Sequence, residues 1–221
     1  FSDHMSRDRF LIILRCLHFA KNPTEGEPKP EDRLYKIRPV LDYFNSKMQE
    51  TYQPYKNLSL DESMILWRGR LVFKQFIKNK RHKYGIKLYM LTEPNGLILK
   101  IAVYTGQMDA LGGKGHAEKV VLHLMQEKLN QGHSLYMDNF YNSFQLASNL
   151  VSKKTYSTGT LRSDRKGCPQ EVVKAKLKKG ETKAKYKNGV MIGKLRDKRD
   201  VTYISSEFPN DMTETVNRRN Q

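Results

Sequence analysis

The chain has 221 residues, 40 Lys and Arg against 23 Asp and Glu, a formal net charge of +17 and 38% apolar residues. That is enough to bury a core in one large domain or two small ones, and too apolar for a disordered polyelectrolyte. A basic excess of this size selects polyanionic partners, nucleic acid first, with ribosomal or membrane-surface association as other sources of such a charge.

Residues 6–20 are expected to form an amphipathic helix, because Phe10, Ile13, Leu14 and Leu17 recur at helical spacing. A polar loop follows over 22–30, rich in Pro and Gly. A second helix is expected over 32–51 with Leu34, Ile37, Leu41, Phe44 and Met48 on one face, kinked or restarted near Ile37 by Pro39. From Leu58 the pattern turns strand-like. Residues 58–63 and 84–92 read as strands, with an extended segment over 71–77. Pro94-Asn95-Gly96 pairs 84–92 with 97–104 as a hairpin.

After Gly112, Gly113 and Gly115 a helix is expected over 117–130, with Val120, Val121, Leu124, Met125 and Leu129 as its buried stripe. Residues 135–138 form a short apolar strand, then a helix carries Phe144, Leu146 and Leu150, and 156–160 is a further strand. A short apolar strand between two helices suits a parallel, buried position, and a right-handed crossover would return it beside 58–63. Beyond Arg165 seven lysines crowd 174–187, and 201–204 is strand-like.

Cys16 and Cys168 are far apart with no C-x-x-C spacing, which argues against a disulfide framework or a cysteine zinc site and fits a reducing intracellular compartment. No apolar run approaches the roughly 20 residues that span a bilayer, so no membrane association is expected. The start, Phe1-Ser2-Asp3-His4-Met5, lacks the order of a signal peptide and has no Met at position 1, as a piece of a longer protein would.

Chemistry concentrates on two aspartates. Asp61 and Asp138 each end an apolar strand-like run, so neighbouring strands could aim both at one point. Paired carboxylates suit the two-metal sites that cleave phosphodiesters, and Mg²⁺ takes oxygen ligands from one or two carboxylates plus substrate phosphates. The ordinary alternative is that each Asp is a turn former or helix cap. Glu62 is expected to face solvent or a nearby lysine. Lys74, Lys78, Lys80, Arg81, Lys83 and Lys87, interleaved with Phe73, Phe76 and Tyr84, are the candidate DNA-phosphate contacts. A solvated face is their ordinary alternative. The lysines of 174–187 divide between nonspecific binding and simple surface. His116 and His123 lack acidic or Cys partners in sequence and read as surface or core residues. Trp67-Arg68-Gly69 reads as a turn with a packing indole.

The motif set resembles the piggyBac family of transposases and the host proteins derived from them. The matching runs include Asp32-Arg33-Leu34-Tyr35-Lys36-Ile37-Arg38-Pro39, Asp61-Glu62-Ser63-Met64, Phe73-Lys74-Gln75-Phe76, Gly85-Ile86-Lys87-Leu88-Tyr89 and Asp138-Asn139-Phe140-Tyr141, then Gly159-Thr160, Arg165-Lys166-Gly167 and Lys178-Lys179-Gly180. The resemblance implies an α/β fold with an incomplete ribonuclease-H-like mixed sheet. A helical DNA-binding and dimerisation region (1–56) precedes the first part of the catalytic core (57–164), and a lysine-rich β insertion with a tail follows (165–221). It also implies Mg²⁺-dependent cleavage and transfer of double-stranded DNA at TTAA sites by an aspartate triad, with Mn²⁺ able to replace Mg²⁺. Nuclear location and a homodimer in the full-length protein go with it.

Asp61 matches the first catalytic Asp and Asp138 the second. The Gly-Gly-Val-Asp run that carries the third is absent, as is the family's Cys-rich zinc module. Asp197, Asp200, Asp211 and Glu214 are the late acids that could replace the missing Asp, truncation being the simpler reading. On this reading the chain alone does not cleave DNA. The alternative is a domesticated or decaying relative that binds DNA or chromatin without catalysis.

Overall fold

The computed structural model describes residues 3–28, 30–78, 82–107 and 109–211. Two compact units divide the chain, Phe1–Tyr52 and Gln53–Gln221. In the first, α1 (Arg7–Cys16) starts where the Ser6 hydroxyl accepts the Arg9 N–H. It stops at Cys16, short of residue 20, where the His18 ring takes up the Cys16 carbonyl at 2.8 Å. None of its residues is buried, so the apolar stripe of Phe10, Ile13, Leu14 and Leu17 is exposed.

The second helix, α2 (Arg38–Thr51), does not begin at Asp32. Pro39 stands in its first turn, where the missing N–H is harmless, and the helix starts beside it with Ile37 as its cap, the expected restart. Residues 32–37 form turns instead. The Asp32 carboxylate accepts the Leu34 N–H and a forked pair of bonds from Arg38 at 2.8 and 3.0 Å, and the Arg38 hydrogen bond holds its carboxyl below the usual range.

The second unit is built on a nine-stranded mixed sheet. Its strands are β1 (Asn57–Leu66), β2 (Gln75–Phe76), β3 (Tyr84–Thr92), β4 (Ile98–Val103), β5 (Ser134–Met137), β6 (Tyr156–Thr160), β7 (Thr182–Lys187), β8 (Val190–Arg196) and β9 (Asp200–Ser205). Their order is β2-β3-β1-β5-β6-β9-β8-β7, with β4 on the edge of β3 that β2 leaves open. The pairs β1–β5 and β5–β6 are parallel and the rest antiparallel. Strands 4-3-1-5-6 form the ribonuclease-H-like half. The expected hairpin turns at Asn95-Gly96, where Gly96 takes φ +91°.

Helices α3 (His116–Met125) and α4 (Phe144–Ser152) lie on one face of the sheet, α3 against β3 and β4, α4 against β6 and β8. Asn149 of α4 reaches Glu118 of α3 at 3.5 Å. The residues predicted as stripes, Val120, Val121, Leu124 and Met125 on α3 and Leu146 and Leu150 on α4, are buried. On β1 and β5 the partners Leu58, Leu60, Leu135 and Met137 are buried as well, which fits a central position for both strands.

The lysine-rich stretch contains one strand that its composition conceals, β7, and the apolar β8 follows it. Asn188 and Gly189 both take positive φ, 52° and 72°, the geometry of a tight hairpin between β7 and β8. Val190 and Ile192 of β8 join Ala147, Leu161, Cys168 and Ile204 in one buried cluster, closed from outside by the short α5 (Gln170–Val173) through Val173. Lys194 is buried because its ammonium donates to the Val173 and Ala175 carbonyls and pairs with Asp200 at 2.8 Å. β7 is the edge strand, and Lys183, Lys185 and Lys187 alternate along it, a pattern that blocks further strand pairing.

One ion pair ties the lead into β1 to the segment after β9. Lys56 meets Glu207 at 2.5 Å. Burial raises the Glu207 carboxyl, but Lys56 and the nearby Ser134 hydroxyl together outweigh it and hold the group below its ordinary value. A carboxyl depressed by folding stabilises the folded state above its unfolded pKa of about 4.3 and loses that contribution as pH falls through the folded value. Glu207→Gln is therefore expected to flatten the acid limb of a stability-versus-pH curve below about pH 4.5, read by urea unfolding. A curve identical to wild type would remove Glu207 from acid sensitivity.

Candidate active site at the ends of β1 and β5

The parallel register between β1 and β5 runs Asn57↔Ser134, Leu58↔Leu135, Ser59↔Tyr136 and Leu60↔Met137. Asp61 is the next residue on β1, and Asp138 is the first residue after β5. Neighbouring strands lie about 4.8 Å apart, so the two carboxylates leave the sheet side by side, and both residues are exposed. Asp61 Oδ1 accepts the Glu62 N–H at 2.7 Å, and Asp138 Oδ1 accepts the Phe140 N–H at 2.9 Å. The second bond makes Asp138 a turn former, but the cap of α4 is Ser143, whose hydroxyl accepts the Leu146 N–H. The turn orients the Asp138 carboxylate and leaves Oδ2 outside that bond.

The five residues from Asp138 are anchored from several sides. The Asn142 side-chain amide, 1% exposed, donates to the Met137 carbonyl at 2.9 Å and the Thr160 carbonyl at 3.0 Å, joining the ends of β5 and β6. Gly159, paired with Met137, permits that approach, because a Cβ there would fall 1.9 Å from the Met137 oxygen. Tyr141, 1% exposed, directs its hydroxyl to Glu62 at 3.3 Å. Burial pushes the Tyr141 phenol far up, reinforced by Glu62, Tyr89, Asp61 and Asp138, so it remains a donor.

Glu62 thus accepts the Tyr141 hydroxyl. Rings pack edge to face around it: Tyr89 against Tyr104, His116 and Tyr141, and Phe140 against His116 and Tyr141. The Tyr89 hydroxyl meets His116 Nε2 at 2.5 Å, while Nδ1 faces the Leu111 carbonyl. A carbonyl can only accept, so Nδ1 carries the proton and Nε2 accepts from Tyr89. His116 is therefore an internal strut, as its lack of acidic partners in sequence implied. The His123 backbone carbonyl accepts from the Lys100 ammonium at 3.0 Å.

Of the basic run, Lys87 lies at the site. Its ammonium is 4.7 Å from the Tyr89 ring centre and 5.0 Å from that of Phe140. Lys74, Lys78 and Lys83 are exposed, with Lys74 donating to the Gly69 carbonyl at 3.4 Å. Lys80 and Arg81 lie outside the described residues. Sequence reasoning missed the roles of Tyr141, Asn142 and Arg165. Only an apolar Tyr and a polar Asn following Asp138 at turn spacing hinted at the first two.

Among the described residues no group of three or more His, Cys, Asp or Glu is placed to hold a metal ion. Asp61 and Asp138 nonetheless suit a hard divalent cation, which one or two carboxylates plus substrate phosphates usually hold. Of the late acids, Asp200 is engaged by Lys194 and Arg196, which depress its carboxyl. Asp197 shares a tight turn with Arg199, and Glu214 lies outside the described residues.

A family profile described as Transposase IS4 matches residues 1–221. PiggyBac transposable element-derived protein 3 of Homo sapiens is 30% identical over 165 residues, 72% of this chain and 27% of its own length. PiggyBac transposable element-derived protein 2 of Homo sapiens is 28% identical over 187 residues, 81% of this chain and 31% of its own. The piggyBac transposase in a cryo-EM synaptic complex with hairpin DNA superposes with a TM-score of 0.82 at 26% identity, over 97% of this chain and 46% of that one. The chain thus spans less than a third of these curated relatives and less than half of the solved transposase. It belongs to the Transposase IS4 family and is a transposase domain of the piggyBac type.

Proposed function

We propose that Asp61 and Asp138 are two carboxylates of a site that cleaves and rejoins double-stranded DNA at TTAA sequences, within an aspartate triad of the full-length protein. The register that sets them side by side one step beyond Leu60↔Met137 carries this reading. Mg²⁺ or Mn²⁺ held between them would supply an activated water or 3′-hydroxyl and neutralise the charge developing on the departing oxygen. The protein's own part is placement. The turn at Asp138 fixes one carboxylate, and β1, paired on both edges, fixes the other. Lys87, held against Tyr89 and Phe140, offers a cation to a DNA phosphate beside them. Lys74, Lys78 and Lys83 extend that basic surface, with Lys80 and Arg81 next to them in sequence.

On this reading, residues 1–56 contribute DNA binding and dimerisation, 57–164 the first part of the catalytic core, and 165–221 an insertion. The full-length protein acts as a nuclear homodimer. The test is excision by the full-length protein of a DNA segment flanked by TTAA, with Mg²⁺ or Mn²⁺. Excision should require the metal, fail with scrambled flanks and fail in Asp61→Asn. Metal-independent cutting, or wild-type excision by Asp61→Asn, would sink the proposal.

The charge of +17 supports a second reading, DNA or chromatin binding without cleavage. DNA binding that survives replacement of both aspartates, with no cleavage by the full-length protein under any divalent ion, would select it.

A further inference from the structure

We infer that Arg165 is a positioning residue for the Asp138 carboxylate, acting on the turn after β5 from a separate segment of chain. Its guanidinium Nη2 donates to the Phe140 carbonyl at 2.5 Å and lies 3.4 Å from the Asn139 carbonyl. Those carbonyls belong to the turn whose Phe140 N–H holds Asp138 Oδ1. Arg165 and Asp138 thus hold opposite ends of the Asn139–Phe140 peptide, Arg165 also holds the carbonyl of the next one, and a rotation that released one would disturb the other.

The arginine is itself held firmly. Its backbone N–H bonds to the Arg162 carbonyl at 3.1 Å and its carbonyl accepts the Cys168 N–H at 3.2 Å. Cys168 is buried in the cluster with Ala147, Leu161, Val190, Ile192 and Ile204. Arg165 Nε is buried with no hydrogen-bond partner among the described residues. An unpaired buried donor is unfavourable, and it is tolerated here because the far end of the fork serves the turn. Arg162, three residues earlier in the same turn, is by contrast exposed and paired with Asp164 at 2.7 Å. Of these two arginines, Arg165 faces inward.

This role rests on the reading of Asp138 as a metal ligand and differs from a DNA contact, because it operates with no DNA present. Groups that orient a metal ligand without touching the metal typically change affinity by about 10- to 100-fold. The experiment titrates Mn²⁺ into the protein without DNA, following free Mn²⁺ by electron paramagnetic resonance, for wild type, Asp138→Asn, Arg165→Ala and Arg165→Lys. Asp138→Asn should abolish the site, Arg165→Ala should weaken it about tenfold, and Arg165→Lys should recover part of the loss through a single bond to Phe140. Amide exchange should rise over Asn139–Tyr141 in Arg165→Ala and remain unchanged on β3.

Wild-type Mn²⁺ affinity and wild-type exchange in folded Arg165→Ala overturn the inference, as does weakened DNA binding alone. Should Arg165→Ala not fold, Arg165→Lys carries the comparison, and wild-type affinity and exchange there overturn it too. Mn²⁺ binding by Asp138→Asn equal to wild type overturns the metal reading itself, which separates that failure from a failure of Arg165.

Discussion

Asp138→Asn is expected to lower metal-dependent DNA cleavage by the full-length protein more than about a hundredfold while leaving the fold intact. The bound follows from geometry, because residues that only support a metal ligand already cost about 10- to 100-fold when removed. Asparagine is nearly the same shape, and its side-chain oxygen can still accept the Phe140 N–H that shapes the turn. The change removes only the negative charge and one anionic oxygen. Urea unfolding should therefore move by less than about 0.5 kcal/mol. Asp61→Asn should be equally severe, and the double variant little worse, since groups that act as a unit are not additive. Cleavage within tenfold of wild type would remove Asp138 from the chemistry. A large loss of stability would mean that its charge serves the fold.

Gly159→Ala should be the most damaging addition of a single methyl group. The new Cβ would fall 1.9 Å from the Met137 oxygen and 2.6 Å from Asn142 Nδ2, and neither can retreat cheaply. Met137 is pinned by pairing with Leu60 on one side and Gly159 on the other, while Asn142 is committed to two carbonyls. Relief requires β5 and β6 to part, which breaks ladder bonds and strands buried polar groups. Overpacking of this kind costs about 1–3 kcal/mol before lost hydrogen bonds are added, so about 3 kcal/mol or more is expected. The site should degrade with the fold, since Asp138 follows Met137 directly. A shift in the urea midpoint worth under about 1 kcal/mol would contradict the close approach of these strands.

Most of the sheet was legible in the residues. β3 and β6 occupy the expected spans, 84–92 and 156–160, because their apolar patterns end at clear turn signals. The parallel placement of β5 beside β1 followed from a short apolar strand between two helices. Its register could not be read, because pairing across 77 positions leaves no trace in either strand alone. β7 was hidden by lysines, since alternating charge on an edge strand resembles a solvated loop. Asn188-Gly189 was the overlooked signal. The second helix starts at Arg38, the restart near Ile37 that Pro39 led one to expect, and not at Asp32. In the site, the aspartates were visible as strand ends. Tyr141, Asn142 and Arg165 were not, because they act through side-chain bonds to distant groups such as Glu62 and the Thr160 and Phe140 oxygens.

The anchoring of the five residues from Asp138 to Asn142 bears on how a gene of this lineage would decay. Asn142 answers to the joining of β5 and β6, Tyr141 to a filled interior, and the Phe140 ring to the packing around His116. Selection for a folded chain alone would retain them. The Asp138 carboxylate is different, since the turn needs only one acceptor oxygen and asparagine or serine could provide it. A descendant kept merely as a binding scaffold would thus preserve most of this segment and let its first position wander. On the proposed reading, the carboxylate is the one member of the segment that folding alone would not hold in place.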